Sequence, residues 1–122
     1  MPRILLIEDD ERTRRMLREM TERAGYEVVD VANGELGLRA QRGSGFDLVI
    51  TDILMPDKEG IETIMELRRD YPDLPVIAIS GGGSAGGLDY LTVARSLGAR
   101  YTFAKPVDRQ ELLGAIASVF AE

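Results

Sequence analysis

Short apolar runs alternate along this chain with longer stretches of helical period, and this alternation limits the fold more than any other feature. Three of the runs are nearly continuous, which is typical of strands buried on both faces of a parallel sheet. The runs cover residues 4–7, 28–31, 46–50, 76–79 and 101–103. Because long periodic stretches separate them, the sequence predicts strands joined by helices rather than by hairpins.

The stretches between the runs place apolar side chains three or four positions apart, as in helices that bury one face. Residues 11–24, 59–70 and 108–121 have this pattern, and Asp108 with Glu111 is typical of a capping pair at a helix start. The residues expected to share a buried face are Met16, Leu17, Met20 and Ala24 in the first stretch, Ile61, Ile64 and Met65 in the second, and Leu112, Leu113, Ile116, Ala117 and Phe120 in the third.

The Asn33-Gly34 pair has two interpretations. It could form the turn of a β-hairpin after the second run. However, no second strand-like run follows before Gly43, so we favour Asn33 as the N-cap of a short helix. With that helix, five strands alternate with five helices. This order predicts a three-layer α/β sandwich with right-handed crossovers, and the length of 122 residues predicts one domain over residues 1–122.

The composition excludes several kinds of function. The chain has no Cys and no His, which rules out thiolate nucleophiles, Cys-ligated zinc and histidine bases. A net charge of -6 argues against direct binding to nucleic acid or to anionic membranes. No apolar run reaches the ~18 residues that span a bilayer, and no export signal is evident. We therefore expect no membrane insertion and a cytoplasmic location.

Polar side chains follow four of the predicted strands. Glu8, Asp9 and Asp10 follow the first, Asp52 the third, Ser80 the fourth and Lys105 the fifth. Ligands of open α/β sheets bind outside the carboxyl ends of the strands, so we expect these groups to meet in one crevice. Taken singly, each is more often a turn, cap or solvated residue.

Together these groups have a specific chemistry. Clustered carboxylates repel one another unless a cation neutralises them, and an all-oxygen ligand set suits Mg²⁺. A lysine beside the cluster can bind a carboxylate or a phosphoryl oxygen. A carboxylate can itself act as the nucleophile of phosphoryl transfer, with the metal and the lysine supplying charge compensation and positioning.

Over nearly its whole length the sequence resembles the receiver domain of two-component response regulators, the flavodoxin-like domain found alone in chemotaxis response regulators. The matching segments are residues 4–10 (ILLIEDD), residues 47–57 (DLVITDILMPD) followed by Gly60, residues 75–80 (PVIAIS), and residues 97–99 (LGA) leading to Lys105-Pro106. The acid pair and the Asp52 segment are highly specific when they occur together at this separation.

The resemblance implies a sheet order of 2-1-3-4-5. It also implies that Asp52 is the phosphoacceptor and that Mg²⁺ is bound by Glu8, Asp9, Asp52 and the backbone carbonyl of Leu54. Lys105 and Ser80 would contact the phosphoryl group beside the small Gly81, and the Lys105-Pro106 bond would be cis. The implied partners are a histidine kinase or histidine phosphotransfer protein and a downstream protein bound through helix 4, strand 5 and helix 5. A phosphorylation-dependent dimer is compatible with this role. The chain would not be an enzyme beyond its own phosphoryl transfer and autodephosphorylation.

Two features depart from the family pattern. The position that is often aromatic, three residues before the lysine, is Thr102, and strand alternation points Tyr101 to the other face. The loop after the fourth strand, residues 81–87, is about three residues longer than is typical and rich in glycine. We expect this loop to be mobile until the site is phosphorylated or a partner binds.

Three alternatives stay open on the sequence. Gly81, Gly83 and Gly86 form a literal G-x-G-x-x-G after a strand, which is typical of dinucleotide-binding enzymes, although there it follows the first strand. An aspartate-nucleophile phosphatase resembling the haloacid dehalogenase family would need a second Asp where this chain has Leu54. A degenerate receiver would act only as a constitutive interaction module.

Overall fold

The computed structural model describes residues 2–53, 59–81 and 90–122, and for residues 59, 90 and 91 it describes the backbone alone. Strands and helices alternate through these parts of the chain, as the sequence predicts. In chain order the elements are β1 (Arg3–Ile7), α1 (Glu11–Arg23), β2 (Glu27–Val31), α2 (Gly34–Ser44), β3 (Leu48–Asp52), α3 (Glu59–Asp70), β4 (Val76–Ser80), α4 (Tyr90–Ser96), β5 (Tyr101–Ala104) and α5 (Arg109–Ala121).

All strand pairs are parallel, and the strand order β2-β1-β3-β4-β5 confirms the predicted topology. Every residue of β3 and of β4 is buried, which explains why their sequences are nearly continuous apolar runs. The strand order reverses between β1 and β3, so the crevice for a ligand lies where those two strands end.

Two hydrophobic cores cover the two faces of the sheet. On one face, Leu17 of α1 and Leu112 and Ile116 of α5 pack against alternate residues of the central strands. On the other, Ile64 and Leu67 of α3 and Ala94 of α4 pack against the intervening strand residues. The residues of β1 divide between the cores by their alternation, with Ile4 and Leu6 in the first and Leu5 and Ile7 in the second.

The start of α2 distinguishes between the two interpretations of Asn33. Its backbone is extended and its side chain accepts a hydrogen bond from the Leu36 N–H at 2.9 Å, so Asn33 is the N-cap of α2 and not part of a hairpin turn. Asp108 caps α5 in the same way, accepting from the N–H groups of Gln110 and Glu111.

Four residues expected on buried helix faces are exposed, and those predictions were wrong. Met16 is 46% exposed, Met65 is 53% exposed, and Ala24 and Ala117 are also exposed. Met16, Met65 and Ala117 are each next in sequence to a buried residue. Consecutive residues lie roughly 100° apart around a helix, so these three side chains point away from the buried face. Ala24 is instead the C-cap of α1.

The buried face of α1 includes a polar residue in place of Met16. Thr21 is buried because its hydroxyl donates to the Leu17 carbonyl at 2.7 Å, which satisfies it within the helix. Phe46 also departs from the prediction, since it precedes β3 but is still buried, with the Arg3 guanidinium 4.5 Å from its ring centre. Among the described helices, none has the length and apolar character needed to cross a bilayer.

Candidate functional site

The sheet brings together the polar residues that the sequence places at strand ends. Asp52 is the last residue of β3 and pairs in register with Ile79, one residue before the end of β4 at Ser80. Glu8 directly follows β1, and Lys105 directly follows β5. Because all strands are parallel, these residues share one edge of the sheet.

Three carboxylates form a cluster at this edge. Glu8, Asp9 and Asp52 each offer an oxygen, and these oxygens lie within 4.8 Å of one another. Glu8 is 1% exposed and Asp52 is 4% exposed, whereas Asp9 is exposed. The cluster therefore has a buried floor and one side that solvent can reach.

Lys105 joins the two buried acids. Its Nζ donates to Asp52 Oδ2 at 3.2 Å and lies 2.6 Å from Glu8 Oε1. The contact with Glu8 is a close ion pair that lacks hydrogen-bond geometry, so Oε1 is enclosed by protein with no hydrogen bond of its own among the described residues. The other oxygen, Oε2, accepts from the Asp10 N–H at 3.0 Å.

These surroundings change the acidity of the site. Burial, helped by the nearby charge of Asp52, raises the pKa of Glu8 to about 7, although Lys105 and the Asp10 N–H oppose the shift. Burial alone would lower the pKa of Lys105, but the ion pairs with the Glu8 and Asp52 carboxylates outweigh it and raise that pKa. Lys105 is therefore charged at neutral pH, while Glu8 is poised between its two forms.

The donor set fits a hard divalent cation. Its described ligands are all carboxylate oxygens, and one enclosed oxygen, Glu8 Oε1, has no hydrogen bond. A cation among these oxygens would offset the burial and the repulsion from Asp52 that together raise the pKa of Glu8. The residues present thus suit Mg²⁺.

Asp10 does not join the cluster, although it follows the same strand. Its carboxylate is the N-cap of α1 and accepts from the N–H and the hydroxyl of Thr13, at 2.9 and 2.6 Å. Those two bonds lower the pKa of Asp10. Of the three consecutive acids, the first two therefore remain for the site and the third begins the helix.

Ser80, Gly81 and Pro106 surround Lys105. Ser80 is 4% exposed, and its carbonyl accepts from the Lys105 N–H at 2.9 Å. A Cβ at Gly81 would lie 2.9 Å from Lys105 Cδ, so a larger residue there would displace the lysine side chain. The Lys105-Pro106 peptide bond is cis.

Thr102 lies on a different face of β5 from its neighbours. Its hydroxyl accepts from Arg95 Nη2 of α4 at 3.1 Å, whereas Tyr101 and Phe103 pack against the core beneath α1 and α5. Tyr101 therefore does not stand in for an aromatic residue at position 102. In this chain a hydrogen bond to α4 occupies that place.

Some predicted features lie outside the described residues. They are Leu54, whose carbonyl was the further metal ligand implied by the resemblance, and residues 82–87 of the glycine-rich loop with Gly83 and Gly86 of the G-x-G-x-x-G pattern.

The sequence reasoning missed two residues behind the cluster. Arg14 of α1 donates through Nη1 to the Glu8 carbonyl at 2.9 Å and through Nε to Asp30 Oδ2 at 3.0 Å. Asp30 is the one charged residue inside the Val28–Val31 run, and a charge within a strand was the sequence feature that could have indicated this network.

Comparisons with known proteins agree with this fold. The family model for the response regulator receiver domain matches residues 4–117. The DNA-binding transcriptional regulator NtrC of Rhizobium meliloti is 33% identical over 98% of this chain and 24% of its own length. The transcriptional regulatory protein CpxR of Escherichia coli is 34% identical over 98% of this chain and 49% of its own length. The chain thus spans a quarter to a half of these relatives.

A shorter relative and two solved structures are also similar to this chain. The response regulator receiver protein CpdR of Brucella abortus is 41% identical over 66% of this chain and 68% of its own length. A receiver domain protein from Clostridium thermocellum superimposes with a TM-score of 0.88 at 30% identity, covering 98% of this chain and 94% of that one. Chemotaxis protein CheY4 of Vibrio cholerae gives 0.85 at 26% identity and 98% coverage of both chains.

Proposed function

Because the chain belongs to the response regulator receiver family of two-component signal transduction, we propose that Asp52 accepts a phosphoryl group from a phosphohistidine. The donor would be a histidine kinase or a histidine phosphotransfer protein. The observation that carries this proposal is the convergence of Glu8, Asp9 and Lys105 on Asp52, which is 4% exposed at the end of β3. The family consists of signalling regulators, and the chemistry proposed is confined to the acceptor itself.

The transfer is a substitution at phosphorus. An oxygen of the Asp52 carboxylate attacks the phosphorus atom, the P–N bond to the donor imidazole breaks, and the imidazole nitrogen keeps the electron pair. Lys105 is 3.2 Å from Asp52 Oδ2 and can turn its ammonium toward the incoming phosphoryl oxygens. Mg²⁺, held by Glu8, Asp9 and Asp52, would supply charge compensation and positioning.

The acyl phosphate then changes the balance of contacts at the strand ends. It adds negative charge and acceptor oxygens where Lys105 now bridges two carboxylates. The Ser80 hydroxyl, at the end of the neighbouring strand, is the nearest candidate donor on β4 for these oxygens. Attack by water on the phosphorus atom would later break its bond to the carboxylate oxygen, release inorganic phosphate and restore Asp52.

We further propose that the change reaches a protein partner through α4, β5 and α5. The Arg95–Thr102 hydrogen bond supports this route, because it joins α4 to the strand that leads to Lys105. The partner would be a downstream protein or a second copy of the chain, with no direct contact to nucleic acid. A cytoplasmic location stays a prediction from the sequence.

Phosphorylation of the chain itself tests the proposal. Incubation with Mg²⁺ and a small acyl phosphate should add one phosphoryl group, measured by intact mass, and Asp52→Asn should abolish the addition. Asp73→Asn removes an exposed carboxylate near the opposite edge of the sheet and should be phosphorylated like the wild type. Labelling of Asp52→Asn to the wild-type level would reject the assignment.

The same experiment separates the alternatives. A constitutive interaction module predicts no phosphorylation of the wild type and partner binding that does not depend on the phosphodonor. A dinucleotide-binding enzyme predicts stoichiometric NAD binding by the unphosphorylated chain. No feature of the described residues favours either alternative.

A further inference from the structure

We infer that Arg14 is a positioning residue for the acidic cluster, because its guanidinium, held by Asp30, fixes the peptide that joins Glu8 to Asp9. Arg14 Nη1 donates to the Glu8 carbonyl at 2.9 Å, and its Nε donates to Asp30 Oδ2 at 3.0 Å. The side chains of Arg14 and Asp30 are each 19% exposed, so water competes little for either bond. This inference rests on the proposed Mg²⁺ site.

The peptide between Glu8 and Asp9 needs an anchor because it lies where the sheet ladder ends. The Glu8 N–H still donates to the Val31 carbonyl at 3.1 Å, as a continuation of the pairing between β1 and β2. The Glu8 carbonyl lies one step further along, between the two acids, and Arg14 binds it there. A rotation of this peptide would move the Asp9 carboxylate, which is exposed and lies within 4.8 Å of the Glu8 and Asp52 oxygens.

The fork of the guanidinium matches the two acceptors. Asp30 belongs to β2 and pairs in register with Leu6, so the sheet fixes its distance from the end of β1. Arg14 bridges that fixed point and the Glu8 carbonyl through two different nitrogens, which a lysine ammonium cannot reproduce with the same geometry. The sequence alone does not bring Arg14, Asp30 and the Glu8 carbonyl together, because their contact depends on how α1 is rotated about its axis.

Asp30 also has an electrostatic role. It forms ion pairs with both Arg14 and Arg18, so a carboxylate faces the guanidinium that lies nearest to the acid pair. Without Asp30, an unbalanced positive charge would lie beside a site that binds a divalent cation. Removing Asp30 should therefore weaken cation binding by leaving this positive charge unbalanced and the guanidinium unanchored. Removing Arg14 takes away a positive charge, so any loss of cation binding in that variant comes from freeing the Glu8 carbonyl.

Calorimetric titration of the whole chain with Mg²⁺ tests this inference. Residues that orient metal ligands typically contribute tenfold or more to metal affinity, so Arg14→Met should raise the dissociation constant about tenfold. Arg14→Lys should give a smaller increase. Asp30→Asn should also weaken binding, but it should add little in the Arg14→Met background, because Asp30 acts through Arg14.

Two matched variants control for charge and for the α1 surface. Arg15→Met makes the same charge change on the same helix at a residue that bonds exposed Glu11, and it should leave Mg²⁺ affinity unchanged. Arg18→Met removes the other partner of Asp30 and should have a much smaller effect than Arg14→Met. At saturating Mg²⁺ the phosphorylation rate of Arg14→Met should return to the wild-type rate, which general damage to the fold would prevent.

The outcomes distinguish the two proposals. If wild-type chain binds Mg²⁺ in a way that needs Asp9, and Arg14→Met binds it as tightly as Arg15→Met, only the role of Arg14 is overturned. An equal loss in Arg18→Met and Arg14→Met would also overturn that role. If the wild type binds no Mg²⁺, the metal site and the role of Arg14 are both overturned, while phosphorylation of Asp52 can still be tested by itself.

Discussion

Replacing Glu8 with glutamine should make the metal-free protein more stable at pH 8 and change little at pH 4.5. Burial is the main cause of the raised pKa of Glu8, from 4.5 to about 7, with the charge of Asp52 adding to it. Between these two values the unfolded chain releases the Glu8 proton while the folded chain keeps it. The wild type therefore loses stability as the pH rises through this window, and glutamine, which carries no proton to release, does not.

The size of this stability difference follows from the shift in the pKa of Glu8. One pKa unit corresponds to about 1.4 kcal/mol, so a change from 4.5 to about 7 amounts to about 3 kcal/mol at pH 8. Lys105 adds no slope in this range, because its pKa is raised above 10.5 and the ammonium is charged in both states. Saturating Mg²⁺ should reduce the stability difference between Glu8→Gln and the wild type, because the wild type keeps the Glu8 carboxylate as a ligand. At 100 times its dissociation constant a ligand stabilises the folded state by about 2.7 kcal/mol.

Urea unfolding in EDTA at several pH values from 4.5 to 8 measures this difference directly. Subtracting the wild-type free energy of unfolding from that of Glu8→Gln cancels the titration of the groups that do not interact with Glu8. Glu19→Gln, which removes an exposed carboxylate of α1, should follow the wild type across the range. A difference between Glu8→Gln and wild type that stays constant from pH 4.5 to pH 8 would refute the reasoning.

Three further predictions concern residues around Asp52. Lys105→Met leaves Glu8 and Asp52 without their ammonium, so in EDTA at pH 8 the free energy of unfolding should fall by about 3 kcal/mol, and Mg²⁺ should restore part of it; no fall in urea unfolding would contradict the ion pairs. Gly60→Ala should lower stability by roughly 2 kcal/mol, because the new Cβ would lie 2.4 Å from Ile53 Cα and 2.6 Å from the Asp52 carbonyl oxygen. Gly114→Ala, where nothing lies within 4 Å, should instead raise the melting temperature slightly, and similar melting temperatures for the two variants would contradict the packing argument. Thr102→Val should cost about 1 kcal/mol or less and leave the phosphorylation rate unchanged, while amide hydrogen exchange in α4 becomes faster; unchanged exchange would remove the Arg95–Thr102 bond as a link between α4 and β5.

The fold and the buried part of the site could be predicted because both follow from short-range patterns. Continuous apolar runs identify buried parallel strands, and in a parallel sheet all carboxyl ends lie at one edge. Asp52 and Lys105 are 53 positions apart in sequence, yet their contact needs only that β3 and β5 both end at that edge. The same reasoning could not separate Asp10 from its neighbours, because the choice between capping a helix and joining a cluster depends on where α1 begins.

Rotation of the helices about their axes was harder to predict. Met16 and Leu17 are both apolar, and their pattern alone does not show which of them faces the sheet. In the structure Leu17 faces the sheet, and Thr21, one turn later, is buried beside it with its hydroxyl satisfied within the helix. That rotation also directs Arg14 toward Glu8 and Asp30, so the missed network and the exposed methionine have the same cause.

The charges at the strand ends support the proposed role of this site as a switch. When all are ionised, Glu8, Asp9 and Asp52 exceed the single ammonium of Lys105 by two negative charges, which a divalent cation would balance. Without that cation the buried Glu8 holds its proton to about pH 7, so the folded chain avoids part of the repulsion. A phosphoryl group at Asp52 carries more negative charge than the carboxylate that it modifies. Lys105 cannot keep both present contacts at full strength and also neutralise the phosphoryl oxygens, and its backbone bond to Ser80 connects any movement to the end of β4. A redistribution that starts at Lys105 would therefore reach β4 and β5 together, the two strands that border α4.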